Sequence, residues 1–144
     1  MAHYEKDQYD QAIKEYDQSI ALNPKYVQAY NNRGLAYICK GQCEQAVKDL
    51  DLAIALSPKF AAAYTNRSLA YYGKKQYENA LKDCNLSTAL DPKYAMVYIV
   101  RGKVYVAMKQ YKKAWADVKA CRDHGGKPPE DFIKELTTAS GRSE

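Results

Sequence analysis

The chain repeats itself with a 34-residue period. A unit of about this length is typical of repeat proteins, in which one unit cannot bury its apolar face alone and packs on the next. The period therefore predicts an elongated stack, and we expect function on an extended surface rather than in an enclosed pocket. Four columns of identical residues show the spacing: Tyr30, Tyr64 and Tyr98; Pro24, Pro58 and Pro92; Arg33, Arg67 and Arg101; Ala12, Ala46, Ala80 and Ala114.

Aligned on this period, the columns resemble the tetratricopeptide repeat, whose motif reads W-x2-L-G-x2-Y, then A-x3-F, then P. The resemblance covers residues 3–124. Tyrosine stands in the motif's Trp column, and Arg replaces its Leu in every copy. The motif's small-residue column holds Gly34, Ser68 and Gly102, and its Tyr column holds Tyr37, Tyr71 and Tyr105. In place of the motif's Phe the chain has Leu50, Cys84 and Val118.

The resemblance implies an all-α fold, a right-handed α-solenoid of 34-residue helix-turn-helix repeats. We expect one domain at residues 1–139 and a loose tail at 140–144. The domain divides into a half-repeat (1–26), three repeats (27–60, 61–94 and 95–126) and a capping helix (127–139). First helices are predicted at Lys25–Cys39, Lys59–Gly73 and Lys93–Met108, and second helices at Tyr9–Leu22, Cys43–Leu56, Tyr77–Leu90 and Tyr111–His124. Val97, Ile99 and Val104 favour a strand when taken alone, but the repeat register predicts a helix there.

Composition narrows the function classes. The formal charge is +5, and all of the excess lies in residues 92–144, which hold 11 basic and 6 acidic residues. Solvated lysines on outer helix faces explain this excess better than a site for an acidic ligand. We see no signal peptide and no apolar run of about 18 residues, the length that a membrane-spanning helix needs. Four cysteines without an evident pairing pattern suggest a reducing compartment. We therefore expect a cytoplasmic protein without a membrane partner.

Catalysis and metal binding find no support. Cys39 and Cys43 are four residues apart, but neither a histidine nor a second cysteine pair stands near them, so we predict no zinc site. The two histidines, His3 and His124, lack an ordered nucleophile or acid beside them, so we predict no enzyme and no cofactor.

The arginine column runs beside an acidic column of the same period. An arginine fork matches a carboxylate with two parallel hydrogen bonds. We therefore predict ion pairs that hold the two helices of each repeat together, which leaves these arginines unavailable to a ligand. The acidic column is Glu15, Asp49, Asp83 and Asp117.

The family resemblance also implies a peptide-binding groove on the concave face formed by the first helices. Asn32 and Asn66 would clamp a peptide backbone, because a carboxamide both donates and accepts hydrogen bonds. The alternative is that both are ordinary solvated residues on a polar helix surface. Ile99, Val100 and Val106 are expected to be exposed there and to receive apolar side chains. The full set is Asn31, Asn32, Leu35, Ile38, Thr65, Asn66, Leu69, Tyr72, Ile99, Val100, Lys103 and Val106.

One known ligand of the family is not expected. Family members that hold the C-terminal carboxylate of heat-shock chaperones use lysine and arginine from the repeats that flank a central Asn. With Asn66 as that Asn, the flanking columns offer Asn31 and Leu35 on one side and Met96 and Val100 on the other. The required cations are missing, and with Asn32 at the centre they are missing too.

The first helix of the half-repeat is absent, so the second helix at Tyr9–Leu22 would be partly uncovered. Upstream sequence, a second chain or a bound segment could cover it, and we favour a second chain. The function predicted first is thus a non-enzymatic protein-binding module, and the runner-up is architectural self-assembly. Nucleic-acid binding ranks below both; it would use Lys103, Lys109, Lys112, Lys113, Lys119 and Arg122 near Tyr105, Tyr111 and Trp115. The predicted oligomer interface is Tyr9, Ala12, Ile13, Tyr16 and Ile20.

Overall fold

The structure, a computed structural model, describes residues 2–142 and the side chains of residues 5–142. Met1 and residues 143–144, which belong to the predicted domain and tail, lie outside the described residues. The described chain forms only helices and turns, which confirms the all-α prediction. The helices are α1 (Ala2–Leu22), α2 (Val27–Cys39), α3 (Cys43–Leu56), α4 (Ala61–Gly73), α5 (Tyr77–Leu90), α6 (Ala95–Ala107), α7 (Tyr111–Asp123) and α8 (Glu130–Ser140).

Each helix packs on the next one along the chain. The first helices α2, α4 and α6 also contact one another in order. Six of the seven predicted repeat helices agree with the structure to within two residues at each end. The segment rich in strand formers is the helix α6, because burial of Val97, Val100 and Val104 in the core outweighs their local preference.

The two chain ends differ from the predictions. Helix α1 begins at Ala2 rather than Tyr9, so residues 3–7 continue the second helix instead of starting a partner for it. No Gly or Pro interrupts this stretch, whereas a residue with positive φ separates the helices of each later repeat. Ser140 belongs to α8 rather than to a loose tail, and its hydroxyl oxygen lies 3.2 Å from Nε1 of Trp115, which donates to it.

The tyrosine column ties each first helix to the turn that precedes it. The hydroxyl of Tyr30 donates to the carbonyl oxygen of Pro24 at 3.0 Å, and Tyr64 and Tyr98 make the same bond to the prolines 6 residues before them, at 2.8 and 2.6 Å. A phenylalanine could fill the space but could not make this bond. The recurrent bond explains why the column holds tyrosine.

The arginine column joins three helices at a time. Arg67 on α4 makes two parallel hydrogen bonds to Asp83 on α5, with Nε and Nη2 at 2.7 and 2.8 Å from the carboxylate oxygens. Its Nη1 donates to Asp51 on the preceding second helix, α3, at 2.9 Å. Both carboxylates lie 16 residues from the arginine, one on each side in sequence. The arginine therefore clamps its own repeat and the previous one.

The same contacts recur in the other two repeats and confirm the predicted ion pairs for Asp49, Asp83 and Asp117. Within the described residues no arginine pairs with Glu15, and the only hydrogen bond to its carboxylate comes from Gln11. Sequence reasoning missed the second acceptor of each arginine, although the regular spacing of these acceptors could have shown it. They are Asp17, Asp51 and Asn85, at 2.8, 2.9 and 3.1 Å.

The hydrogen bonds that Arg33 and Arg67 donate to their buried aspartates outweigh the effect of burial on the guanidinium groups. The bonds to Asp49 raise the pKa of Arg33, and those to Asp83 raise the pKa of Arg67, although burial acts in the opposite direction. In the third pair, burial raises the pKa of Asp117 in spite of Arg101. Burial also lowers the pKa of Arg101, but the hydrogen bond to Asp117 raises it above its usual value. Arg101 also has a neutral second partner, Asn85, instead of a carboxylate.

We expect Arg67→Leu to lower the free energy of unfolding by about 3–5 kcal/mol, because it leaves a buried carboxylate unpaired. The side chain of Asp83 is only 3% exposed. Urea denaturation measures the loss, and the double variant Arg67→Leu/Asp83→Leu should recover part of it. A loss of unfolding free energy below about 1 kcal/mol, the range of an exposed ion pair, would contradict the conclusion that Arg67 holds the helices together. Partner affinity should stay nearly unchanged.

The turns inside the repeats share one unusual backbone conformation. Gly41, Lys75 and Lys109 occupy one column, with φ values of +76°, +59° and +59°. Glycine adopts this left-handed region without steric cost, whereas a lysine there has its Cβ close to the backbone.

Lys109→Gly should therefore raise the free energy of unfolding by about 1 kcal/mol. Chemical denaturation can measure this gain. Gly41→Ala is the matched reverse change and should destabilise the protein. Equal stability of Lys109→Gly and the wild type would show that the lysine conformation is not strained.

Candidate functional site

The first helices form the continuous surface on which the sequence predicts a groove. Because α2, α4 and α6 contact one another, side chains that point away from the second helices share one face. Asn32 and Leu35 on α2 are exposed there, and the remaining members are half-buried. We name this set the first-helix surface: Asn32, Leu35, Ile38, Asn66, Leu69, Tyr72, Lys103 and Val106.

One predicted groove column is buried and faces inward. Asn31, Thr65 and Ile99 occupy equivalent positions and are 7%, 1% and 8% exposed. The hydroxyl of Thr65 lies 2.8 Å from that of Ser87 on the second helix of its own repeat. Ile99 belongs to a core cluster with Cys121, the equivalent of Ser87. Thr65 and Ile99 therefore hold the repeat together and do not line a surface.

Val100 is also buried, at 3% exposure, in the cluster that Leu69 contacts. The expectation that Ile99 and Val100 are exposed is therefore wrong, and Val106 is half-buried. The physical reason lies in the column of Asn32, Asn66 and Val100. In its second copy, Asn66 reaches the preceding first helix, so the column lies at the seam between neighbouring first helices, and in the third copy an apolar residue fills the seam.

The asparagines form a connected chain of hydrogen bonds across this seam. Nδ2 of Asn66 donates to Oδ1 of Asn31 at 2.9 Å, and Nδ2 of Asn31 donates to Oδ1 of Asn32 at 3.5 Å. Within the described residues, Oδ1 of Asn66 and Nδ2 of Asn32 have no further partner. One acceptor and one donor therefore remain available, which is what a peptide main chain needs.

The surface changes character along the stack. Around α2 and α4 it carries the amides, whereas towards α6 it carries Tyr72, Val106 and Lys103. The ring of Tyr72 packs at a tilt against Tyr77, with centroids 6.1 Å apart. Burial raises the pKa of Tyr72, and Glu135 on α8 adds to this effect. The arrangement can bind a backbone at the amides and apolar side chains at Leu35, Leu69 and Tyr72 on the same two helices.

The predicted oligomer stripe is partly open. Ile13 is buried, whereas Tyr9, Ala12, Tyr16 and Ile20 are half-buried. The equivalents of Ala12 in the later repeats are fully buried, because in each of those repeats a first helix covers the second helix. These equivalents are Ala46, Ala80 and Ala114.

The basic C-terminal half offers little for base stacking. Trp115 is buried in the cluster of Phe132 and Leu136. The ammonium of Lys113 lies 5.6 Å above the ring of Tyr105, so this ring already has a cationic partner. Stacking on nucleic-acid bases needs accessible aromatic faces.

The cysteines differ in environment. Cys84 is buried beside the hydroxyl of Ser68, 3.3 Å away, and burial raises the pKa of its thiol to about 11. Cys121 is buried too, whereas Cys39 is exposed. Residues 5–142 contain no group of three or more side chains placed to hold a metal ion.

Comparison with known protein families gives matches along most of the chain. A family model described as "TPR repeat" matches residues 2–41 and 34–75, and one described as "Tetratricopeptide repeat" matches residues 61–94. No curated protein sequence matches the chain.

Several solved structures share the fold. TTC0263, a thermophilic TPR protein in Thermus thermophilus, is 23% identical with a TM-score of 0.83, over 98% of this chain and 79% of that one. The TPR2B domain of yeast Sti1, solved as a pHsp70 complex, is 25% identical with a TM-score of 0.72, over 80% of this chain and 96% of that one. The first TPR of Spaghetti (RPAP3), solved bound to the HSP90 peptide SRMEEVD, is 25% identical with a TM-score of 0.71, over 80% of this chain and 90% of that one.

Proposed function

Because this chain belongs to the tetratricopeptide repeat family, we propose that it is a non-enzymatic interaction module that binds an extended peptide or protein segment on its first-helix surface. The observation that carries the proposal is the open pair of amide groups, Oδ1 of Asn66 and Nδ2 of Asn32, at the two ends of the asparagine chain. The pair is held in place by buried Asn31, so a peptide backbone meets a pre-organised donor and acceptor.

Apolar side chains next to the amides supply the second part of the site. Leu35 is 38% exposed on α2, Met96 is 49% exposed on α6, and half-buried Leu69 and Tyr72 lie on α4 between them. Exposed apolar groups that adjoin hydrogen-bonding groups are typical of ligand-binding clefts. The partner segment therefore carries apolar side chains.

The Sti1 and Spaghetti structures support peptide binding by this fold, but we do not transfer their ligands. A C-terminal carboxylate with acidic residues needs cations in the columns that here hold Asn31, Leu35, Met96 and Val100. Asn31 and Val100 are also buried. Lys103 is the one cation of the first-helix surface.

Leu35→Asp should weaken peptide binding at least about tenfold, a loss of about 1.4 kcal/mol, because it places a charge where an apolar side chain docks. The probes are peptides selected against the wild type from a random displayed library, with affinities measured by fluorescence polarisation. Leu52→Asp is the matched control, since Leu52 is 48% exposed on the second helix α3. The peptide affinity of Leu52→Asp should stay within about threefold of that of the wild type, a change of less than about 1 kcal/mol in binding free energy.

Two outcomes would contradict the proposal: peptides that bind Leu35→Asp as well as the wild type, or a random library that yields no binder. The peptide SRMEEVD serves as a specificity control and should bind at least about tenfold more weakly than the selected peptides. Val100→Asp is unsuitable as a test, because a carboxylate at this buried position would destabilise the fold.

A second candidate function is architectural self-assembly through the open stripe of α1. The half-buried Ala12, whose three equivalents are fully buried, is the observation that favours it. A solenoid end without a polar cap tends to associate, and a twofold dimer needs only one self-complementary patch.

Ala12→Glu/Tyr16→Glu should keep the protein monomeric where the wild type is dimeric, because it places charges in the open stripe. Sedimentation velocity across micromolar concentrations measures this. Gln11→Glu, an exposed change on the same helix, is the control and should leave the dimer intact. A wild type that is monomeric at every concentration would rule out this function. Ile13→Glu is less informative, since Ile13 is already buried within the chain.

A further inference from the structure

One edge of the stack carries an unpaired lysine in every turn. This edge comprises the four turns that follow the second helices. Three lead to a first helix, at residues 22–26, 56–60 and 90–94, and the fourth leads to α8, at residues 124–129. All four lysines are exposed, and no ion pair to any of their ammonium groups exists within residues 5–142. They recur at the spacing of the repeat: Lys25, Lys59, Lys93 and Lys127.

Apolar side chains accompany these lysines. Leu22, Leu56 and Leu90 close the second helices and are 88%, 39% and 40% exposed. An aromatic residue follows the lysine in the same three turns; Tyr26 is exposed, whereas Phe60 and Tyr94 are half-buried and pack against the core. Three turns thus share the pattern Leu-x-Pro-Lys-aromatic: residues 22–26, 56–60 and 90–94. We name them, with Lys127, the lysine–leucine edge.

The opposite edge of the stack is different. Its turns lie at residues 40–42, 74–76 and 108–110. Lys40 pairs with Asp10 and Lys74 with Glu44, whereas Lys75 and Lys109 are exposed and have no ion pair within residues 5–142. None of the strongly exposed large apolar side chains of residues 5–142 lies in its turns. The combination of unpaired cations with exposed leucines is therefore specific to one edge.

We propose that the lysine–leucine edge docks on the anionic surface of a lipid bilayer. Lysines near such a surface are attracted by its negative potential, and exposed leucine and tyrosine side chains enter the boundary between headgroups and acyl chains. The packing of neighbouring first helices, about 10 Å apart, sets the lysines in a row and lets several act together. The first-helix surface plays no part in this contact.

The contact is peripheral. No helix within residues 2–142 has the length and hydropathy to cross a membrane. The proposal departs from the expectation of no membrane partner. That expectation rested on the absence of a signal peptide and of a long apolar run, whereas the docking surface comes from turns that are far apart in sequence.

The exposed leucines favour a bilayer over a nucleic acid. Phosphate backbones are bound by cations and hydrogen-bond donors, and bases by stacking or polar contacts. Three exposed leucines next to the lysines contribute to neither, whereas each one adds to the affinity for a lipid interface.

The test measures binding of the full chain to vesicles by flotation. One vesicle type is phosphatidylcholine alone, and the other contains about one-third phosphatidylserine, which supplies the negative surface. The charge variant is Lys25→Glu/Lys59→Glu/Lys93→Glu. The chain offers a matched control with the same change of charge, Lys14→Glu/Lys48→Glu/Lys82→Glu, whose lysines recur at the same spacing and are also exposed but lie on the second helices.

The wild type should bind the anionic vesicles and not the neutral ones. The charge variant should bind at least about tenfold more weakly, while the control should stay within about threefold. Equal losses in the two variants would overturn the proposal, because they would show attraction by net charge alone. Absence of binding by the wild type would overturn it too.

Leu22→Ser separates a bilayer from other polyanions. Leu22 is almost fully exposed, so this change should leave thermal unfolding unchanged and still weaken vesicle binding about threefold or more. A duplex oligonucleotide is the second probe. Oligonucleotide binding that needs the edge lysines and is tighter than vesicle binding would assign the edge to nucleic acid and overturn the proposal.

Discussion

The contact between each repeat's arginine and the buried aspartate 16 residues later is the interaction on which the stack depends. The guanidinium extends from a first helix and donates hydrogen bonds to the second helices on both sides of it in sequence. One side chain therefore fixes three helices relative to one another. Its planar fork satisfies both oxygens of a carboxylate that would otherwise be buried without partners. The tyrosine below each arginine adds a ring face, with Arg33 5.7 Å above Tyr30.

This arrangement leaves the functional groups on surfaces. The arginines are occupied, Ala46, Ala80 and Ala114 are fully buried, and one side of every first helix packs on the second helix of its own repeat. What remains is a face along the first helices with unsatisfied amides, an edge with unpaired lysines, and the partly covered stripe on α1. The proposed functions use these three areas separately, and none needs a rearrangement of the helices.

Much of the fold could be predicted from the sequence, because the period repeats every structural contact. The bounds of α2 to α7 and the pairs of Arg33, Arg67 and Arg101 follow from recurring columns. The candidate site was less predictable. Thr65, Ile99 and Val100 belong to the right helices but not to the surface. The start of α1 was wrong too. Gln8 shares a column with Gln42, Gln76 and Gln110 at the turns of the later repeats, but α1 continues through this position because its chain takes no positive φ there.

The sequence by itself determined the number of residues per unit, the helix type and the pairs of charges, because these recur at one spacing and need no knowledge of orientation. Only the tertiary structure decided which side of each first helix is buried. Neighbouring positions on a helix differ by about 100° in direction. Thr65 therefore points to its own second helix while Asn66 points to the preceding first helix. A rotation of each first helix by about 100° about its axis would exchange these roles. Packing rather than the sequence pattern sets that orientation.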